Sequence, residues 1–221
     1  MLNKRTWALG LFLTLTTALW AQSEFFNTVE FHNKTKGEIY YLFCSPGDSE
    51  FWGPDVLGGN NTLDAGGMAE FYISYPENSN TFDFMAIDEF GNTYELYEKE
   101  ITDGTPAKFV ISEDLKIDTV DLDTLEDDLI ALEIRNLTGF EIYYLFVSPS
   151  DSAMYGIDFM DSETTLPDEE SISLLFFKDD TTIDYDIQGI DEDEDTYSFS
   201  LTLDPELGDQ TVDINYDDMD S

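Results

Sequence analysis

The six residues Glu-Ile-Tyr-Tyr-Leu-Phe at positions 38–43 recur at positions 141–146, 103 residues further along the chain. The register then holds without a gap to Thr93-Tyr94, which is matched by Thr196-Tyr197. A period of this length exceeds the 20–50 residues typical of solenoid repeats. It predicts the duplication of a whole domain of ordinary size.

Within each copy, apolar and polar residues alternate as in half-buried β-strands. Residues 197–203 read Tyr-Ser-Phe-Ser-Leu-Thr-Leu, and residues 183–187 read Ile-Asp-Tyr-Asp-Ile. Residues 142–147 are apolar on both faces, which is typical of a central strand covered on both sides. The pattern predicts about six short antiparallel strands per copy. In the first copy they are expected near 28–33, 38–45, 68–75, 81–88, 93–99 and 107–112.

These strands predict an all-β protein made of two tandem β-sandwich domains, immunoglobulin-like or transthyretin-like, with a small barrel as the alternative. The first unit is expected at residues 24–115 and the second at 129–221, each folding by itself. Residues 116–128 are rich in Asp and Glu and predict an acidic linker. Partial alternation over 116–122 also allows a final strand there.

The N-terminus has the pattern of an export signal. Lys4 and Arg5 precede an apolar run over residues 7–21, and Ala18 and Ala21 offer cleavage sites. The run is short for a bilayer-spanning helix, although an uncleaved membrane anchor stays the alternative. We therefore predict a signal peptide at 1–21 and a mature chain without a transmembrane segment, located in the periplasm or outside the cell.

The charge balance restricts the partners. The chain has 49 Asp and Glu against 9 Lys and Arg, and loss of Lys4 and Arg5 would leave 7 basic residues, an excess of 42 negative charges. Nucleic acids and anionic membranes would repel such a chain, whereas basic partners and divalent cations would be attracted. A hydrophobic content of 42% favours packed domains over an acidic disordered chain.

The repeated block combines Glu-Ile-Tyr-Tyr-Leu-Phe-x-Ser-Pro-x-Asp-Ser with Trp52-Gly53-Pro54-Asp55 or Tyr155-Gly156-Ile157-Asp158, followed later by Ile-Asp-Glu-x-x-x-Thr-Tyr. It resembles a domain found singly or in tandem in exported bacterial proteins of uncharacterised function. The resemblance implies a compact β-domain and export, and it brings no activity, cofactor or catalytic residue. The second copy departs from it, with Tyr155 in place of Trp52 and Glu194 in place of Gly91.

Histidine and cysteine, the residues that nucleophilic catalysis commonly uses, are scarce in this sequence. His32 is the only histidine and is replaced by Arg135 in the second copy, while the single cysteine, Cys44, lies in an apolar strand. A Ser-His-Asp or Cys-His site is therefore not expected. A small glycosidase-like hydrolase that uses two carboxylates stays an alternative, as does a structural component of the cell envelope.

Acidic turns suggest calcium. Asp191, Asp193 and Asp195 alternate in one turn, and the matching turn carries Asp88 and Asn92. Alternating acids can supply the oxygen ligands of calcium, but Asp and Asn also populate hairpin turns for conformational reasons alone. These five residues therefore have two interpretations, a stabilising calcium site or conformationally favoured hairpin turns. A second pair of acidic loops carries Asp48, Asp55, Asp151 and Asp158.

Two aromatic residues occupy matched positions in an otherwise polar loop. Trp52 and Tyr155 could stack on a sugar ring, or each could fold back as a lid on its own sandwich. The sequence thus predicts an exported, non-enzymatic binding protein with a protein or glycan partner outside the cytoplasm. Its recognition surface is expected on loops at one end of each sandwich.

Overall fold

The computed structural model describes residues 24–59, 61–76, 79–102, 106–160, 164–179 and 181–220. The predicted signal peptide, residues 1–21, lies outside them. In this described part of the chain, no helix has both the length and the apolarity needed to cross a membrane.

Strands dominate the described chain. The first copy contains β1 (Glu24–Asn33), β2 (Ile39–Pro46), β3 (Met68–Pro76), β4 (Thr81–Asp88), β5 (Asn92–Glu100) and β6 (Ala107–Ile111). The predicted linker contains β7 (Lys116–Thr119) and the short helix α1 (Leu122–Asp127). The second copy contains β8 (Leu129–Leu137), β9 (Ile142–Pro149), β10 (Gly156–Ile157), β11 (Ser171–Phe177), β12 (Ile183–Asp191), β13 (Thr196–Leu203) and β14 (Gln210–Asn215).

The predicted fold class is confirmed: the protein is all-β and consists of two tandem β-sandwiches. In the first, the sheet β2-β4-β5-β7 faces the sheet β10-β3-β1-β6 across a core that includes Phe31, Leu42 and Phe84. In the second, the sheet β13-β12-β9 faces the sheet β11-β8-β14. Each core forms because, along each strand, the residues that point inward are apolar and alternate with outward-facing residues.

Two details of the strand prediction are wrong. β6 runs parallel to β1, and β14 runs parallel to β8, so the sheets are not purely antiparallel. β9, expected as a central strand, is an edge strand, as is its counterpart β2. Both faces of these strands are apolar because one face lines the core and the other packs against the neighbouring copy, where Tyr144 contacts Phe26 and Tyr72.

The predicted acidic linker carries regular structure. Its strand β7 pairs with β5, in agreement with the alternative of a final strand. Helix α1 begins after Asp121, whose carboxylate accepts a hydrogen bond from the amide of Asp123. Leu125 of α1 is buried against Phe43, which ties this acidic segment to the outer face of β2.

The two copies pack against each other with pseudo-two-fold symmetry. The amide of Asp55 donates to the carbonyl of Leu175 at 2.8 Å, and the amide of Asp158 donates to the carbonyl of Tyr72 at 2.9 Å. Each partner in the second bond is 103 positions from its counterpart in the first. Reciprocal contacts of this kind are typical of an isologous dimer interface, here within one chain.

The cores of the copies share side chains. Met154 and Ile157 of the second copy belong to the buried cluster of the first sandwich. Phe51 of the first copy packs against the cluster of the second. The domain boundaries stay predictions, but this exchange leads us to expect that the copies depend on each other for stability.

Candidate functional site

The segment that follows β2 crosses the interface and is held by Asp55. One carboxylate oxygen, Oδ1, accepts hydrogen bonds from the amides of Leu42 at 2.8 Å and Leu57 at 3.2 Å. Asp158 does the same in the second copy, accepting from Leu145 and Met160. Each carboxylate thus satisfies an amide on the edge of β2 or β9.

Asp55 has a second feature of chemical interest. Its side chain is fully buried, and its Oδ2 has no hydrogen-bond partner among the described residues. Burial raises the pKa of this carboxyl to about 7, although the two amide hydrogen bonds act in the opposite direction. Asp55 is therefore a buried acid that titrates near neutral pH.

A groove with a volume of about 850 Å³ lies between the copies. Both copies contribute residues at matched positions, so the groove follows the pseudo-two-fold axis. Its apolar surface comes from the segments that follow β2 and β9 and cross the interface. Its walls come from β3 and β11. The matched pairs are Val56 and Phe159, Leu57 and Met160, Asn61 and Thr164, Thr62 and Thr165, Ala69 and Ile172, Glu70 and Ser173, and Phe71 and Leu174.

The walls of the groove are open strand edges. Among the described residues, β11 pairs with β8 along one side, and on its other side only the carbonyl of Leu175 receives a backbone hydrogen bond, from Asp55. Within the described chain, β3 pairs with β1 along one side; on the other side it pairs with β10 at Ile73 and Ser74, and the carbonyl of Tyr72 accepts the amide of Asp158. Unpaired strand edges can accept an additional strand.

A smaller pocket, of about 370 Å³, adjoins the groove. It shares Gly58, Asn61 and Thr62 with the groove and is lined further by Tyr40 and Tyr41. Asp55 also contributes to its lining. The pocket therefore brings two aromatic rings and the buried acid to one end of the groove.

Trp52 lies outside the groove. It is half-buried and packs against the cluster of Phe43, Met85 and Ile87, on the outer face of β2 and β4. Its ring centroid is 6.3 Å from that of Tyr97, which is 52% exposed. Its carbonyl accepts a hydrogen bond from the hydroxyl of Tyr185 in the other copy, at 3.0 Å.

Tyr155, the counterpart of Trp52, is also half-buried. It lies between Met154, which is buried in the first sandwich, and Gly156, where β10 begins. The two aromatic positions predicted for sugar binding thus belong to segments that join the copies. Their use as a sugar platform stays a prediction.

The acidic turns suggested for calcium have a clear structural role. Asp88 accepts hydrogen bonds from the amides of Phe90 and Asn92, the side-chain amide of Asn92 and the hydroxyl of Tyr94, all at 2.8–2.9 Å. Burial, together with the Asp88 carboxylate, raises the pKa of Tyr94 to about 12. This carboxylate therefore organises the turn between β4 and β5.

Asp191 repeats the arrangement in the second copy. It accepts from the amides of Asp193 and Asp195 and from the hydroxyl of Tyr197, at 2.9–3.0 Å, while the side chains of Asp193 and Asp195 are exposed. Within the described ranges, no three His, Cys, Asp or Glu residues are grouped so that they could hold a metal ion. Calcium binding at these turns stays one interpretation, and the hydrogen bonds within the turns support the other, a conformational role for these acids.

Sequence reasoning missed the groove because it depends on how the copies pack. One signal was present: the strands at 39–44 and 142–147 are apolar on both faces although each belongs to a sandwich with one core. A second apolar face on both copies indicates a second buried surface. With the exact 103-residue register, it could have predicted a symmetric contact between the copies.

Comparisons with known proteins assign no function. No family model matches the chain, and no curated protein matches it. Among solved structures it is similar to the Bacillus anthracis TIE protein, with 10% identity and a TM-score of 0.27 over 86% of this chain, which spans only 33% of that protein. It is also similar to a mutant of the major pilin from Streptococcus pyogenes, with 10% identity and a TM-score of 0.17 over 86% of this chain and 97% of the pilin.

Proposed function

We propose that this chain is an exported, non-enzymatic binding protein whose recognition surface is the groove between its two copies. The observation that carries the proposal is the groove itself, about 850 Å³ in volume and lined by both copies. Concave sites between packed units that combine apolar walls with a few polar groups are the usual places for ligands. Export is supported by the N-terminal sequence pattern.

The partner is expected to be basic. The chain carries a net charge of −40, and Glu70 adds an exposed carboxylate to the groove wall. Attraction between opposite charges speeds the encounter and rejects acidic competitors. We propose no catalytic step, because the buried acid near the groove, Asp55, uses one oxygen to hold two backbone amides.

The test is hydroxyl-radical footprinting of the mature chain, alone and mixed with the extracytoplasmic fraction of the source cells. We expect protection of Phe71, Phe159 and Ile172, which line the groove and are half-buried in the free protein. Leu207 and Tyr216, which are exposed elsewhere, serve as internal controls. Equal oxidation of the groove residues in both samples would contradict the proposal.

A second candidate function, sugar binding at Trp52, is favoured by the neighbouring ring of Tyr97, 6.3 Å away. The other two tryptophans, Trp7 and Trp20, lie in the predicted signal peptide, so Trp52 alone would report in the mature chain. Titration with oligosaccharides should leave its fluorescence unchanged if Trp52 is a lid. Saturable quenching that Tyr97→Ala abolishes would favour the sugar platform instead.

A further inference from the structure

We infer that the groove binds an extended, basic peptide segment of a partner protein as an added β-strand on the open edge of β11. This inference rests on the proposed function and names the partner class for the same groove. Its first support is that the chain already uses this mode once. In β10, two residues of the second copy pair antiparallel with Ile73 and Ser74 at the edge of β3.

The backbone of β11 offers the required groups. The carbonyl of Leu175 points away from β8, because it accepts the amide of Asp55. Backbone groups of alternate residues in a strand point to the same side, so the N–H and C=O groups of Ser173 and Ser171 also point toward the groove. The carbonyl of Glu170, one position before Ser171, accepts the amide of Asn136 on the β8 side, which agrees with this alternation.

The two walls of the groove differ in a useful way. Ser173 on β11 is small and uncharged, and nothing on its side chain repels an incoming strand. Its counterpart on β3 is Glu70, an exposed carboxylate in the same groove. A charge on a strand edge discourages pairing. β11 is therefore the wall that pairs with the backbone, and Glu70 is the group that selects lysine or arginine.

The groove also defines the side-chain pattern of the guest. Val56, Leu57, Phe159 and Met160 supply apolar surface. Side chains of a strand alternate between two faces, so one set of guest residues would contact this surface and the other would face solvent and Glu70. Residues 171–174 span roughly 13 Å at about 3.3 Å per residue. About four alternating apolar and basic guest residues pair with this edge, and a heptapeptide extends beyond it by one or two residues at each end.

The experiment uses a fluorescent heptapeptide of alternating lysine and valine, with binding to the mature chain followed by anisotropy. Two control peptides carry backbone N-methyl groups, on the lysines in one and on the valines in the other. Methylation removes N–H donors without changing charge, and alternate N–H groups point to opposite sides of a strand. We expect one methylated peptide to bind at least tenfold more weakly and the other to bind like the parent.

Variants of the protein locate the site. Ser173→Pro removes an edge donor without touching the ladder to β8 and should weaken binding at least tenfold. Ser200→Pro places the same change on the outer edge of β13 and should have no effect. Glu70→Lys should weaken binding of the basic peptide, while Glu206→Lys, in an exposed turn, should not.

Each result decides the inference. If the parent peptide binds and both methylated peptides bind equally well, the attraction is purely electrostatic and the inference is wrong. A folded Ser173→Pro variant that binds like the parent would place the guest on another edge and also overturn it. If the heptapeptide does not bind while the groove residues are still protected from oxidation in the footprinting experiment, strand addition is contradicted and the proposed function is supported. The methylated peptides test the inference even if Ser173→Pro does not fold.

Discussion

The interface between the copies contains one type of contact twice, in which two strands of one copy and two strands of the other each contribute one side chain. The two contacts differ in polarity. In the first contact all four side chains are apolar, and the rings of Phe43 and Phe177 lie 4.2 Å apart. In the second contact the positions of Phe177 and Met85 hold Ser74 and Gln188. The first contact consists of Phe43, Met85, Leu129 and Phe177, and the second of Phe146, Gln188, Phe26 and Ser74.

The difference shows that two copies of one contact can contribute unequally to stability. In the first contact the second aromatic ring is Phe177 on β11, whereas in the second contact it is Phe26 on β1, at the position that matches Leu129. The ring centroids of Phe26 and Phe146 are 6.0 Å apart. The hydroxyl of Ser74 and the Oε1 atom of Gln188 are buried without a hydrogen-bond partner among the described residues. Linker residues cover the first contact, whereas Phe26 in the second is 51% exposed. The first contact should therefore contribute more to stability than the second.

Separating the copies should have the largest effect. We expect fragments 24–128 and 129–221 to lose fixed tertiary structure, because each exposes side chains that the other copy buries. Four such side chains at about 1.5–3 kcal/mol each give roughly 6–12 kcal/mol, comparable with the whole stability of a domain. They are Met154, Ile157, Phe43 and Phe146.

Near-UV circular dichroism and thermal melting of each fragment measure this loss. Mixing the fragments should restore the signal of the intact chain, which controls for damage caused by cleavage itself. If each fragment melts cooperatively near the temperature of the intact protein, the copies are independent domains, as the sequence alone suggests.

Asp55 should make stability depend on pH. Its pKa is raised to about 7 in the folded protein, against about 3.9 in an unfolded chain. Its contribution is therefore fully present below about pH 3.9, declines as pH rises and is lost above about pH 7. At about 1.4 kcal/mol per unit, the loss is on the order of 4 kcal/mol.

Urea unfolding between pH 4 and pH 8 tests this dependence. Asp55→Asn keeps the oxygen that accepts from Leu42 and Leu57, and its unfolding free energy should fall less with pH than that of the parent. Repulsion among the other acids acts in both proteins and cancels in the comparison. Asp158→Asn makes the same change at the matched position. An unchanged slope in Asp55→Asn would show that its carboxyl is not the titrating group.

The strands were predictable because alternation is a local property. The observed β4 spans the predicted residues 81–88, and β3 and β6 differ from their predicted ends by one residue. The pattern of Tyr197 to Leu203 likewise became β13. A half-buried strand needs one apolar face whatever its neighbours are, so the sequence alone carries this information.

The groove and the buried acid were not predictable in the same way. Asp55 was noted only as a member of an acidic loop, yet it is buried where its segment meets Leu175 of the other copy. Sequence patterns record which face of a strand is apolar but not which neighbour covers it. For the same reason, β9 was expected in the centre of a sheet and lies at an edge, as does its counterpart β2.

Exchanging residues between the two contacts should have intermediate effects. Met85→Gln should cost about 1–3 kcal/mol, because it places an unpaired amide in an apolar contact. Gln188→Met should stabilise the protein by about 1–2 kcal/mol, because it removes a buried acceptor without a partner. Melting of the two single variants and the double variant measures both effects. A destabilised Gln188→Met would show that Oε1 makes a favourable contact in solution and that the second contact is a polar site.

The smallest expected effect is a difference between cations at the two acidic turns. Asp191 already accepts three hydrogen bonds at 2.9–3.0 Å, so a metal would have to displace donors that hold its turn. We therefore expect calcium and magnesium at equal ionic strength to raise the melting temperature equally, by screening the acidic surface. A specific site would add about 2.7 kcal/mol at a calcium concentration one hundred times its Kd. The matched control is the double variant Asp193→Asn and Asp195→Asn, which removes two exposed carboxylates and leaves the hydrogen bonds of Asp191 in place. A calcium-specific increase in the parent that disappears in this variant would establish the second turn as a calcium site and separate it in function from the first.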